Sequence, residues 1–252
     1  MPKLVILGTS NAIPDEDHDN THMALASEGR IVLIDCVNNP IVRLRQAGLD
    51  LFQVKELILT HFHPDHVSGV PSLLMNSWLL GRKGPMTIYG LAYTLDRLKS
   101  LMDAYDWQSW PNFFQVDFRI IPLEPMSLVL EDTEYRIYAS PVHHLVPTIG
   151  LRIEMPQLDQ VLAYSCDTEP CQEVVELASG ADMLIHEATG VGIGHSSAQQ
   201  AGAIAHQAEV GHLMLIHYPN RDFEPSPLVS QAKSSFAGRV ELAKDLMTVE
   251  FL

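Results

Sequence analysis

Leu57-Ile58-Leu59-Thr60-His61-Phe62-His63-Pro64-Asp65-His66 is the stretch on which the reading of this chain turns. Its first four residues, apolar and closed by a β-branched threonine, predict a strand over 57–60. Four residues of metal-ligand type then fall within six positions. Imidazole and carboxylate suit zinc, and also iron and manganese. A tight loop after the strand can aim His61 and His63 at one ion and Asp65 and His66 at a neighbour. The alternative is a polar surface loop, which would have to gather four such residues at one strand end by chance.

Two ions need more donors than this loop holds. Further candidates stand at the ends of later apolar runs: His143-His144 after Ser140-Pro141-Val142, Asp167 after Tyr164-Ser165-Cys166, and His217 after Leu213-Met214-Leu215-Ile216. A carboxylate such as Asp167 has two oxygens and can bridge two cations.

Working outward, short apolar runs alternate with helical patterns through both halves. Strands are predicted over 3–7, 23–26, 30–34, 86–89, 116–121, 128–130, 135–139, 149–153, 161–164, 183–185 and 213–216. Helices are predicted from Asn39-Pro40 to Gly48, and over 70–80, 91–105, 170–178 and 198–209, with Pro early and Gly past the end of the first. Asp106 to Phe114, with Trp107, Trp110 and Pro111, reads as an aromatic loop that lines a site or caps the core. Strands lead each half and helices are interleaved. The expected architecture is an α/β four-layer αββα sandwich: two mixed sheets face to face with helices outside, one domain over 1–252.

The 252 residues carry 16 Lys plus Arg against 31 Asp plus Glu, a net charge of −15. A field of that sign repels nucleic acid at long range and weighs against generic coating of DNA or RNA. No run approaches the ~20 apolar residues of a transmembrane helix, and Met1-Pro2-Lys3 lacks the features of a signal peptide. Cys36, Cys166 and Cys171 are odd in number and lack CxxC spacing, so the expectation is buried inert thiols and a cytoplasmic, reducing location.

In these motifs the chain resembles the metallo-β-lactamase superfamily, and within it the ribonuclease Z group. The resemblance rests on Gly8-Thr9-Ser10, Asp35-Cys36, the HxHxDH run His61 to His66, and Gly81-Arg82 followed by Ile88-Tyr89-Gly90. It continues through His144 six residues before Gly150, Ser165-Cys166-Asp167-Thr168, His186-Glu187-Ala188-Thr189, Gly194-His195-Ser196-Ser197-Ala198 and Ile216-His217. It implies that His61, His63 and His144 hold one Zn2+ and Asp65, His66 and His217 a second, with Asp167 bridging (Mn2+ or Fe being the other candidates). It further implies that Asp65 orients or deprotonates the attacking water. His195 would be general acid to the leaving oxygen, and Glu187 would hold that imidazole. A homodimer is implied too, with 70–80 a candidate interface. His143 is then a residue behind the ligands or of the pocket, His186 structural, and His206 and His212 either solvated or partners of a helix C-terminal dipole; His18 and His22 have no assignment.

The motifs predict hydrolysis of a phosphodiester, on a small molecule or an RNA 3′ end. Two departures bear on the substrate. The first loop, which carries basic residues for tRNA in the family, is here Pro14-Asp15-Glu16-Asp17-His18-Asp19-Asn20. Only 22 residues separate His144 from Asp167, room for two strands and a turn but not for the tRNA-gripping arm. The rival readings are tRNA 3′-trailer cleavage, hydrolysis of a lactone, thioester or sulfate ester, and di-iron redox chemistry, for which no partner domain is present.

Overall fold

The computed structural model describes residues 2–221 and 223–251; Met1 of the Met1-Pro2-Lys3 stretch, Asp222 and Leu252 lie outside the described residues. The strands are β1 (Lys3–Gly8), β2 (His22–Ser27), β3 (Arg30–Ile34), β4 (Val54–Ile58), β5 (Met86–Leu91), β6 (Val116–Ile121), β7 (Ser127–Glu131), β8 (Arg136–Val142), β9 (Thr148–Met155), β10 (Gln160–Tyr164), β11 (Met183–Glu187), β12 (His212–Ile216), β13 (Arg239–Leu242) and β14 (Thr248–Glu250). The helices are α1 (Pro40–Gln46), α2 (Pro64–Val67), α3 (Val70–Leu79), α4 (Ala92–Asp103), α5 (Gln172–Ala178), α6 (Ala198–Gln207) and α7 (Ser226–Lys233).

β1 shows why the strands stack in layers. Successive side chains of a strand point to opposite faces. Leu4 and Ile6 join the apolar layer shared with Ile137, Leu151 and Ile153, while Val5 and Leu7 join the layer packed with Leu73, Leu74 and Leu95. With both faces buried, the strands read as continuous apolar runs. The first sheet runs β14-β1-β2-β3-β4-β5-β6 and the second β13-β12-β11-β10-β9-β8-β7. One apolar layer lies between the sheets; α1, α3 and α4 cover the first outside, and α5, α6 and α7 the second. The αββα sandwich is as the sequence implies. Each sheet is antiparallel in one part and parallel in the other: β3 to β6 pair in parallel, as do β10 to β13.

Several boundaries differ from the sequence reading. The strand read as 57–60 is β4, beginning at Val54 and ending at Ile58. Thr60 N instead donates to Asp35 Oδ1 at 2.8 Å, so the chain peels away before His61. The HxHxDH run is not all loop: Pro64 starts α2. Helix α5 begins at Gln172, its N-cap Cys171 lacks a side-chain cap bond, and Glu169 Oε1 instead accepts from Gly194 N. Ser197 caps α6, in a reciprocal capping box with Gln200. α7, β13 and β14 carry too little periodicity to have been read. The aromatic loop caps the core: Trp110 stacks on Trp78 at 5.0 Å, and Trp107 meets Phe113 and Phe118 edge-on.

Candidate metal centre

The ends of β3, β4, β8, β10, β11 and β12 converge at one edge of the sandwich. In α/β sheets the carboxyl ends of parallel strands are where ligands bind. Asp35, Cys166 and His217 each follow a strand and each takes a left-handed backbone, with φ of 60°, 54° and 50°. Non-glycine residues adopt that region at a cost, and such residues cluster at functional sites. Close backbone approach supports the same edge. A Cβ on Gly150 would lie 2.9 Å from Tyr164 O and 3.1 Å from Ser165 O, which is a physical reason for glycine six residues after His144.

All seven residues expected to bind metal come together there. His61 Nε2 and His144 Nε2 lie 3.0 and 3.2 Å from His63 Nδ1. His66 Nε2 is 3.6 Å from Asp65 Oδ2 and 3.6 Å from Asp167 Oδ1. His217 Nε2 is 3.6 Å from Asp65 Oδ2 and 3.4 Å from Asp167 Oδ2. Asp167 also reaches the first group, its Oδ2 lying 3.9 Å from His144 Nε2. Two nitrogens held ~2.0–2.1 Å from one tetrahedral zinc stand about 3.3 Å apart, close to these separations. Among the groups of close donors able to hold an ion are His61, His63 and His144, and Asp65, His66, Asp167 and His217.

The outward-facing nitrogens settle how the rings are held. Asp35 Oδ2 accepts from His66 Nδ1 at 2.7 Å, and the Gly194 carbonyl accepts from His144 Nδ1 at 2.7 Å. Thr189 Oγ1 donates to the His217 carbonyl and accepts from His217 Nδ1 at 2.9 Å. Thr60 Oγ1 donates to Asp35 and accepts from His61 Nδ1 at 3.1 Å. Each of these four rings therefore bonds an oxygen behind it through Nδ1 and turns its Nε2 inward, as bonding behind the ligands does in metal sites. The inward atoms His66 Nε2, His217 Nε2 and Asp167 Oδ1 are buried without a hydrogen-bond partner. Orphaned buried polar atoms are costly, and this set fits divalent cations.

The charges interlock. Burial would raise the Asp167 carboxyl, but the imidazoles of His217 and His66 hold it well below the usual carboxylate range. Burial would lower His66, yet Asp167 and Asp35 hold it well above the ordinary histidine value. Burial, aided by its histidine neighbours, pushes His61 well down.

His195 and Glu187 stand beside this group. Glu187 is fully buried. Its Oε1 accepts from His195 Nδ1 at 3.0 Å, Ser196 N at 2.9 Å and Thr168 N at 3.2 Å, and its Oε2 from Thr189 N at 2.8 Å. Burial alone would lower His195, but the Glu187 hydrogen bond and charge outweigh it and raise the imidazole. The His195 ring sits 5.0 Å from that of His144 and 5.9 Å from that of His217. A cavity of about 340 Å³ opens onto His63, Asp65, Asp167 and His195, with Ile13 and Leu145 in its wall.

The other histidines lie elsewhere. His143 is exposed, 3.5 Å from Glu173, not in the centre. His186 is buried and bonds the Glu187 carbonyl, a structural role. His212 was expected to be solvated; it is buried and pairs with Glu241 at 2.9 Å, because it opens an interior strand. His22 is buried and bonds the Asn20 carbonyl, and His18 pairs with Asp15. Cys36 and Cys166 are buried thiols, both pushed up by burial. The supporting roles of Thr60, Thr189 and Gly194 were missed; the acid after Ile31–Ile34 was the one visible signal, for Asp35.

The family model described as "Beta-lactamase superfamily domain" matches residues 30–218, three quarters of the chain. The chain belongs to this superfamily. It is similar to the ribonuclease Z of Methanothermobacter thermautotrophicus, with 28% identity over 307 aligned positions, 99% of this chain and 97% of that protein. Since 307 exceeds the 252 residues here, at least 55 aligned positions of that relative have no counterpart. In this chain β9 and β10, between His144 and Asp167, form a plain hairpin. Among solved structures, the metallo-beta-lactamase fold protein YhfI of Bacillus subtilis superposes with TM-score 0.83, 21% identity and 98% coverage of both chains. Human tRNase Z, short form, superposes with TM-score 0.81, 24% identity and 99% coverage of both.

Proposed function

We propose that the chain is a metal-dependent hydrolase of phosphodiesters, with His61, His63 and His144 holding one Zn2+, Asp65, His66 and His217 the other, and Asp167 shared between them. The observation that carries this reading is the convergence of seven inward-facing donors beside the His195–Glu187 pair. When bound, the ions supply Lewis acidity, which favours ionisation of water and offsets negative charge building on the phosphoryl oxygens. Asp65, at the floor of the cavity, orients the attacking water and accepts its proton. His195 donates a proton to the departing oxygen. Glu187 fixes the His195 tautomer and keeps the ring protonated near neutral pH. Ser196 and Thr168 hold Glu187 through their backbone N–H groups, so the carboxylate does not swing away.

Assay of bis(p-nitrophenyl) phosphate with and without chelator tests the reading; turnover indifferent to metal removal ends it. A second reading, tRNA 3′-trailer cleavage, is favoured by the name of the sequence relatives. The acidic Asp15–Asp19 loop and the short β9–β10 hairpin oppose it, and incubation with a precursor tRNA decides.

Residues 1–252 are read as one domain, because both sheets share a single apolar layer. No helix among the described residues is long and apolar enough to cross a membrane. Three buried free cysteines accord with a reducing cytoplasm. The exposed Met75 and Leu79 of α3, with Leu80 just past its end, supply an apolar face for a homodimer; light scattering that returns a monomer at micromolar concentration rejects it.

A further inference from the structure

Two large apolar side chains stand exposed in the wall of the cavity at the centre, and two more on the loop that joins two of its lining residues. Ile13 and Leu145 line the cavity and are 56% and 61% exposed. Thr189 and His195, also in its wall, bracket Gly190-Val191-Gly192-Ile193-Gly194, on which Val191 and Ile193 are 85% and 79% exposed. One exposed apolar residue is ordinary, but two in the wall of the opening with two more on the adjoining loop form a surface that calls for an occupant.

The backbone keeps these residues in place. Ile13 N donates to Asn11 Oδ1 at 3.0 Å, and its carbonyl accepts from Ser10 Oγ at 2.8 Å. The His144 Nδ1 bond to the Gly194 carbonyl ties the neighbour of Leu145 to the glycine-rich tip. The fit there is tight: a Cβ on Gly194 would lie 3.3 Å from Leu145 Cγ and 2.7 Å from His144 Nδ1.

The charges around the mouth have the wrong sign for a polyanion. None of the residues lining the cavity is Lys or Arg. The loop beyond Ile13 presents Asp15, Glu16 and Asp17, which with Pro14 and Arg221 line a groove holding three carboxylates to one guanidinium. Binding a nucleic-acid backbone requires cations along its track.

We propose that the preferred substrate is a small phosphodiester with a single negative charge and an apolar ester group, aryl or alkyl, which lies against Ile13, Leu145 and the Gly190–Gly194 tip. This rests on the phosphodiester reading above and narrows its substrate class. The centre takes the one charged group, and the collar takes the uncharged remainder.

Calorimetric titration of the zinc-loaded protein with diphenyl phosphate, dimethyl phosphate and a single-stranded oligonucleotide tests it. Diphenyl phosphate is expected to bind about tenfold or more tightly than dimethyl phosphate, the scale of discrimination an apolar surface gives. The oligonucleotide is expected to bind no better than dimethyl phosphate. In Ile13→Ser and Ile193→Ser, both at exposed positions, the diphenyl-to-dimethyl ratio falls toward one. Equal affinities for the two small esters, a ratio untouched by both variants, or tightest binding by the oligonucleotide each overturns the proposal. Hydrolysis of bis(p-nitrophenyl) phosphate is read separately. Its absence with the binding preference intact rejects the catalytic reading and keeps the collar; its presence with equal affinities does the reverse.

Discussion

Asp35→Asn isolates the support behind one half of the centre. Asp35 is buried and accepts from His66 Nδ1 at 2.7 Å, from Thr60 N at 2.8 Å and from Thr60 Oγ1. An asparagine keeps the volume but replaces one acceptor oxygen with an NH2 group. Whichever way the amide turns, a donor then faces a donor, at His66 or at Thr60. With the NH2 toward His66 the ring loses its fixed tautomer, while its Nε2 still faces Asp65 and Asp167. Loss of a partner behind a metal ligand costs about 10–100-fold in affinity, or ~1.4–2.7 kcal/mol at ~1.4 kcal/mol per tenfold. Competition with a chromophoric chelator reads zinc binding in two steps. The step assigned to Asp65, His66, Asp167 and His217 is expected to weaken by that factor, and the His61–His63–His144 step to change far less. Far-UV circular dichroism checks that the variant is folded. Both steps within about twofold of wild type in a folded variant would refute the coupling of Asp35 to the metal through His66.

Other outcomes follow from the same geometry. His195→Ala is expected to lower kcat on an alkoxide-leaving diester by on the order of 10²–10⁴-fold; a rate within threefold removes His195 from the chemistry. Because Glu187 raises His195, and an acid works below its own pKa, wild-type activity is lost as pH rises through that raised value. Glu187→Gln removes the cause, so the basic limb of kcat moves to lower pH; a limb that stays put denies the pairing. Chelation is expected to lower Tm as well as abolish turnover, since a ligand of the native state at a thousandfold its Kd contributes about 4 kcal/mol. An unchanged Tm after verified metal removal contradicts it. Gly150→Ala forces a Cβ to 2.9 Å from Tyr164 O and Leu177 Cδ1. Overpacking of this kind costs about 1–3 kcal/mol, and ~2–4 °C of Tm per kcal/mol is read by calorimetry.

The layers were legible because strands buried on both faces leave unbroken apolar runs, and because His61, Asp167 and His217 each follow such a run directly. Glu187 was less so: nothing in His186-Glu187 tells a surface acid from one closed around by four N–H groups, since that enclosure is built by nearby Thr189 together with Thr168 and the His195-Ser196 pair from two other segments. Ring orientation was beyond reach for the same reason. That His63 offers Nδ1 where its neighbours offer Nε2 depends on the turn into α2, not on residue type. The early end of β4 was hidden because Leu59 and Thr60 have good strand propensity, yet a buried aspartate claims the Thr60 amide. β13 and β14 are short and lie at the outer edges, where half-exposed residues such as Arg239 and Glu250 blur the pattern.

His61, His63, Asp65 and His66 come from the first sheet, and His144, Asp167 and His217 from the second. Neither sheet alone offers the whole proposed donor set: the first lacks His144, Asp167 and His217, and the second lacks the other four. On the ligand set proposed above, full-affinity binding of both ions requires the two sheets to be docked, so metal affinity reports on their packing.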